Sequence, residues 1–145
     1  MIVHLLIGLP GSGKSTWLNS LPNKNEIFDD ISQTDSKLIE LKKTLKTNPE
    51  NIFISDVNFC DHNILNLAIN KIKELTNNHI EFKFVLFPQS PEICRLNVQQ
   101  RNDGRSVEFT IRRFETLINE TFDYIKLKNN NYEEIKFKTT KFNKP

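Results

Sequence analysis

Residues Gly8 to Ser15 read Gly-Leu-Pro-Gly-Ser-Gly-Lys-Ser. The stretch satisfies G-x-x-x-x-G-K-[ST] at every fixed position, the pattern of a loop that wraps nucleotide phosphates. Its surroundings suit that role. Ile2 to Ile7 is a short apolar run of buried-strand type, and a helical pattern with Trp17, Leu18 and Leu21 follows. Glycines let backbone N–H groups turn inward around phosphate oxygens, and the helix start adds partial positive charge. Nucleotide contacts are therefore expected from Gly8, Pro10, Gly11, Ser12, Gly13, Lys14, Ser15 and Thr16. Lys14 is expected at the β- and γ-phosphates and Ser15 at Mg²⁺. The plain alternative is a chance glycine turn ahead of a helix.

Outside the loop, composition excludes several classes. The chain has 145 residues, 37% hydrophobic and 26% charged, as in an ordinary globular protein. One domain over residues 1–145 is expected. A net charge of +2 is too small to imply nucleic acid by itself. Cys60 and Cys94 lack metal-type spacing, which favours a reduced, cytoplasmic protein over a disulfide scaffold. The apolar start is too short to span a membrane and lacks the flank and cleavage site of a signal peptide. His4, His62 and His79 are scattered and read as structural.

Short apolar runs alternate with helical patterns along the chain. Ile27-Phe28 is a brief strand ending at Asp29-Asp30. Leu38, Leu41 and Leu45 mark a helix that stops before Pro49. Ile52 to Ile54 is a strand ending at Ser55-Asp56, and Ile64 to Leu75 follows helical spacing. Ile80 to Phe87 is the longest β-like run. Pro91 opens a helix running toward Asp103-Gly104. One long helix is predicted to carry Phe114, Leu117, Ile118, Phe122 and Ile125 on one face. Tyr132 to Phe137 is a last strand, before a loose tail at about 139–145. This alternation predicts an α/β, three-layer P-loop NTPase fold with a mostly parallel sheet of about five strands. Ligands bind such sheets at the carboxyl ends of the strands, so the glycine loop, Asp29-Asp30 and Asp56 should gather on one rim.

The carboxylates follow from that rim. Asp56, after Ile-Phe-Ile-Ser, is placed to support Mg²⁺ directly or through water, with capping of the next helix as its alternative. Residue 57 is valine, so the acidic pair of hydrolytic ATPases is absent, as is the N-K-x-D element of GTPases. Both absences favour transfer to a bound acceptor. Asp29 is the preferred proton acceptor for an acceptor hydroxyl, ahead of Asp30; a helix-capping cluster with Ser32 is the alternative. All five arginines lie between Arg95 and Arg113 in a chain that otherwise uses fifteen lysines. Arginine holds phosphate oxygens with a planar fork. Residues 99–107 therefore read as a lid, with Arg101 and Arg105 on the transferring phosphate. Arg95, Arg112 and Arg113 read as solvated charges, with Asp103, Glu108 and Glu115 as available partners.

Four local matches resemble the phage polynucleotide 5′-hydroxyl kinase family: Gly8 to Trp17, Asp29-Asp30, Ser55 to Asn58, and Arg101 to Arg105, in that order. Zeta-toxin-like and small-metabolite kinases share the same machinery. The resemblance implies ATP with Mg²⁺ as donor, a 5′-hydroxyl of DNA or RNA as acceptor, Asp29 as general base and Arg105 as the lid arginine. Ser32 stands where that family carries an acceptor-binding arginine, and Lys37 is the nearest downstream basic residue. A small-metabolite or nucleoside kinase is thus a second expectation. A nucleotide-binding switch or accessory ATPase acting through a protein partner is a third.

Overall fold

A computed structural model describes residues 1–21, 26–32, 35–101, 107–128 and 131–136, with Arg101 described by its backbone alone. The strands are β1 (Ile2–Ile7), β2 (Glu26–Asp29), β3 (Asn51–Ser55), β4 (Glu81–Leu86) and β5 (Tyr132–Glu134). They form one sheet in the order β2-β3-β1-β4-β5. Every pairing is parallel. Parallel neighbours need crossovers, and helices supply them. The helices are α1 (Lys14–Asn19), α2 (Asp35–Lys46), α3 (His62–Leu75), α4 (Pro91–Arg101), α5 (Glu108–Phe114) and α6 (Leu117–Lys128). The all-parallel sheet is the stricter form of the arrangement expected from the sequence.

Alternation along each strand divides two unequal cores. Val3, Leu5, Ile7, Ile52, Ile54, Phe84 and Leu86 point to one face, where Leu41 and Leu45 of α2, Leu65 and Ile72 of α3, and Phe122 and Ile125 of α6 bury them. Leu6, Phe53, Val85 and Phe87 point to the other, where Trp17, Leu18 and Leu21 cover them. Trp17 meets the Phe53 and Phe87 rings edge-on at centroid distances of 5.8 and 5.9 Å. Such contacts fix the helix that carries the glycine loop to the centre of the sheet.

Several features differ from the sequence reading; the last strand, expected over Tyr132 to Phe137, is only Tyr132–Glu134. The long helix expected through Phe114 and Ile125 is two helices, α5 and α6, separated by a turn at Glu115-Thr116. Ile111, Phe114, Ile118, Phe122 and Ile125 are all buried, so their spacing continues across the break and conceals it. A 3₁₀ turn at Val57–Cys60, absent from the sequence reading, follows β3. Four residues are too short for a periodicity to register. The expected tail at 139–145 and most of the expected lid at 99–107 lie outside the described residues.

His4 sits on the α1 side of β1, stacked on Phe53 at 4.2 Å with its Nε2 2.8 Å from Asn51 Oδ1. Its Nδ1 has no partner. Desolvation lowers its pKa from 6.5, followed by opposing effects of Asn51 (raising) and Lys83 (lowering). The unfolded chain therefore takes up this proton at higher pH than the folded one. Stability is present above pH 6.5 and is lost as pH falls from 6.5 toward the depressed folded value. Urea unfolding of the parent should weaken from pH 7.5 to 5.5, and His4→Gln should flatten that slope. An unchanged slope in the variant would contradict this role.

Candidate active site

The loop after β1 owes its shape to two residues in the left-handed region, Gly11 (φ 82) and Gly13 (φ 102). A side chain at Gly11 would also sit 2.4 Å from the Cys94 carbonyl oxygen, so α4 packs directly against the loop. Asn97 Nδ2 reinforces that contact by donating to Gly11 O at 2.8 Å. At Gly13 a Cβ would meet nothing within 4 Å; this is the open side of the loop. The first backbone bond of α1 runs from Trp17 N to Gly13 O at 2.9 Å. The amides of Lys14, Ser15 and Thr16 thus lack helical acceptors, as at every helix start.

Lys14 folds back along the loop. Its Nζ donates to Gly8 O at 2.5 Å and to Leu9 O at 2.9 Å. Ser12 is buried, and its Oγ has no hydrogen-bond partner. An orphaned buried hydroxyl, helix-start amides and an ammonium in one loop fit an anionic oxygen ligand. Ser15, in the exposed first turn of α1, suits a hydrated divalent cation.

Across the rim, β2 and β3 end side by side, with Asp29 in register with Ser55. Asp30 N donates to Ser55 O at 2.9 Å, and Asp30 turns to φ 55. The two carboxylates are therefore not in extended succession; only Asp29 remains in the strand. Both are exposed. Desolvation raises the Asp30 pKa, helped by the nearby charges of Asp56 and Asp29 and opposed by Lys37 and Lys14. The effect of Lys14 on Asp30 places the strand-end acids and the glycine loop in one electrostatic neighbourhood.

Asp56 is 1% exposed. Its Oδ2 accepts from Ser32 N at 2.9 Å and Ser32 Oγ at 2.5 Å, and its Oδ1 accepts from Asn58 N at 2.9 Å. Asn58 Nδ2 closes the cluster on Ser32 Oγ at 3.0 Å. Asp56 thus caps the 3₁₀ turn, while Asp61 caps α3 by accepting from Asn63 N. With both oxygens already engaged, Asp56 fits a magnesium ion through intervening water rather than as a direct ligand. Among the described residues, no group of three or more His, Cys, Asp or Glu side chains is arranged to hold a metal ion. Thr121 Oγ1, fully buried in α6, donates to Cys60 O at 2.6 Å and backs this turn from below.

Of the arginines, Arg95 joins α4 to α5, with Nε 2.9 Å from Glu108 and Nη2 3.2 Å from Glu115. Arg112 pairs with Glu108 at 3.1 Å. Both are the solvated, paired charges expected. The Arg101 side chain and the whole of Arg105 lie outside the described residues. Asn97 was not singled out from sequence, while Ser32 entered only as a capping alternative and a departure from the resembled family, and Asn58 only as the end of a motif match, neither as a partner of Asp56. Asp-x-Asn after a strand is a turn-forming pattern that could have flagged Asn58; nothing local marks Asn97. Cys60 and Cys94 are buried, free, and pushed up by desolvation to about 12 and about 11, so neither is a nucleophile at neutral pH.

R277, an uncharacterized protein of Acanthamoeba polyphaga mimivirus, is 31% identical over 130 residues, covering 83% of this chain and 91% of its own length. The chain belongs to the R277 family. No family model matches it. In structure, this R277-family chain is similar to deoxyadenosine kinase from M. mycoides, solved with bound dATP. The TM-score is 0.51 at 16% identity, with 93% of this chain and 90% of that chain covered. The fold of the R277-family chain is thus the α/β, P-loop NTPase-like fold. Among the described residues, no helix is long and apolar enough to cross a membrane.

Proposed function

We propose that this protein is an ATP-dependent phosphotransferase that moves the γ-phosphoryl group to a hydroxyl, with a 5′-hydroxyl of DNA, RNA or a nucleotide-like molecule as acceptor. One observation carries the reading: the Gly8–Ser15 loop and the Asp29, Asp30 and Asp56 carboxylates share one rim of a parallel sheet. A donor site facing strand-end acids is what in-line transfer needs. The fold shared with a deoxyadenosine kinase supports the same class.

In this mechanism the loop amides and Lys14 hold the β- and γ-phosphates, replacing the carbonyls that Lys14 now contacts. Asp29 accepts the proton of the acceptor hydroxyl. The acceptor oxygen forms a bond to Pγ as the bond from Pγ to the β–γ bridging oxygen breaks, and ADP leaves. Ser15, with Asp56 behind it, would hold Mg²⁺, which would supply positive charge to the donor phosphates. Arg101 and Arg105 are assigned to the transferring phosphate on their sequence pattern.

Ser32 is the position where the resemblance leads one to look for an acceptor-binding arginine. Here it is bonded to Asp56 and holds the rim together. This favours a second reading, a nucleoside or small-metabolite kinase, in which the acceptor is held elsewhere. Incubation with γ-labelled ATP and a panel of 5′-hydroxyl oligonucleotides, nucleosides and sugars separates the two. Label on oligonucleotides is the expected result. Label on nucleosides alone would replace the first reading with the second, and label on no acceptor would overturn both.

A further inference from the structure

Lys14 and Asn97 both hold carbonyls of the Gly8–Ser15 loop, and a nucleotide would treat the two differently. Lys14 holds Gly8 O and Leu9 O from within the loop. It is also the group that turns to the donor phosphates, so those bonds are given up when the loop is loaded. Asn97 holds Gly11 O from α4, with Nδ2 donating at 2.8 Å. It reaches the loop on the side where Gly11 is in contact, not on the open side at Gly13. Its bond does not compete with entering phosphates.

The α4 contact is a built one. Cys94, Asn97 and Val98 lie three and four residues apart, on one helix face. A Cβ at Gly11 would sit 2.4 Å from Cys94 O and 3.0 Å from Val98 Cγ2 on that face. Arg95 lies on the far side of the helix from Asn97, since two residues turn a helix by about 200°. There it ties α4 to Glu108 and Glu115. The helix that carries Asn97 is therefore fixed from behind. Gly11, at φ 82, has no side chain to restrain its own rotation. Asn97 holds the oxygen of the Gly11–Ser12 peptide, and Leu9 O accepts from its Ser12 N–H at 3.1 Å. Both polar ends of one peptide unit are thus pinned, immediately before the amides at Gly13 and Lys14.

We propose that Asn97 is a positioning residue for the donor nucleotide. It fixes the Gly11–Ser12 peptide, so the amides that follow are turned toward the phosphates before the nucleotide arrives. Ordering a loop of three glycines during binding would otherwise subtract from affinity. The inference rests on reading the loop as the donor-phosphate site, and it is independent of where the phosphate goes.

The test is calorimetric binding of ADP and of inorganic tripolyphosphate, each with Mg²⁺, to the whole chain. Asn97→Leu keeps the branched shape of the side chain and removes the donor. It should weaken both ligands about fivefold, the effect of one neutral hydrogen bond. The factor should be the same for both, because the change acts at the phosphates. Asn97→Ala, which introduces no larger group, should lose as much, and Asn97→Gln should recover part. Circular dichroism checks that each variant is folded. A lower melting temperature with parental affinity for both ligands would make Asn97 structural alone and overturn the inference. Weaker binding of ADP with parental binding of tripolyphosphate would overturn it too, since the effect would then lie away from the loop. A parent that binds neither ligand would overturn the donor-loop reading itself.

Discussion

Lys14→Ala is expected to lower phosphoryl transfer by about a hundredfold to a thousandfold, the loss seen when one preorganised donor to a developing charge is removed. In the resting protein the ammonium bridges Gly8 O and Leu9 O, so it also braces the loop across its own chord. The substitution therefore acts twice. It removes charge from the γ-phosphate, and it leaves two carbonyls at the loop mouth without this donor. The core beneath, from Leu6 to Phe87, makes no use of the lysine. Thermal unfolding should change far less than the rate. Steady-state kinetics with a labelled donor, alongside a melting curve, reads both. Parental kinetics in a folded variant would remove Lys14 from the donor site.

Asp29→Asn is expected to cost between a hundredfold and ten-thousandfold in rate, the range for a positioned proton acceptor. Asp30→Asn is expected to cost much less. The pair is informative because the two neighbours differ so much in setting. Asp29 closes β2 in register with Ser55, whereas Asp30 turns into the left-handed region. Asp30 carries the raised pKa, caused first by desolvation and then by Asp56 and Asp29. If Asp30 were the base, its variant would suffer the greater loss. The acidic limb of the parent's rate profile would then be displaced upward from the ordinary aspartate value, in the direction that desolvation imposes. Rates of both variants and the parent's pH profile decide between them.

The fold was legible because its signals are local. An apolar run, a glycine loop and a helix pattern in succession specify β1, the loop and α1 without reference to the rest of the chain. Strand ends were legible too, since polar residues at 29–30 and 55–56 directly follow the buried Phe28 and Ile54. The contacts that organise the site were not legible. Ser32 finds Asp56 across 24 residues, Asn97 finds Gly11 across 86, and Thr121 finds Cys60 across 61. No periodicity encodes such pairs; the sheet order brings them together. The turn between α5 and α6 was hidden for a different reason. Its flanking residues keep helical spacing across the break, because both helices pack on the same core. Arg113 illustrates the same limit. In sequence it is one more charge beside Arg112, yet Arg112 pairs with Glu108 while Arg113 lines a cleft together with Ile64, Leu67 and Lys71 of α3.

The central claim is that the phosphate held by the Gly8–Ser15 loop passes to a hydroxyl rather than to water. The most direct measurement follows the γ-label of ATP in a single reaction with Mg²⁺ and a 5′-hydroxyl oligonucleotide, and partitions it between the strand and inorganic phosphate. The predicted result is label on the strand in excess of label in inorganic phosphate, with neither formed by the Lys14→Ala protein. Label found only as inorganic phosphate, or ATP bound and left intact, would contradict it.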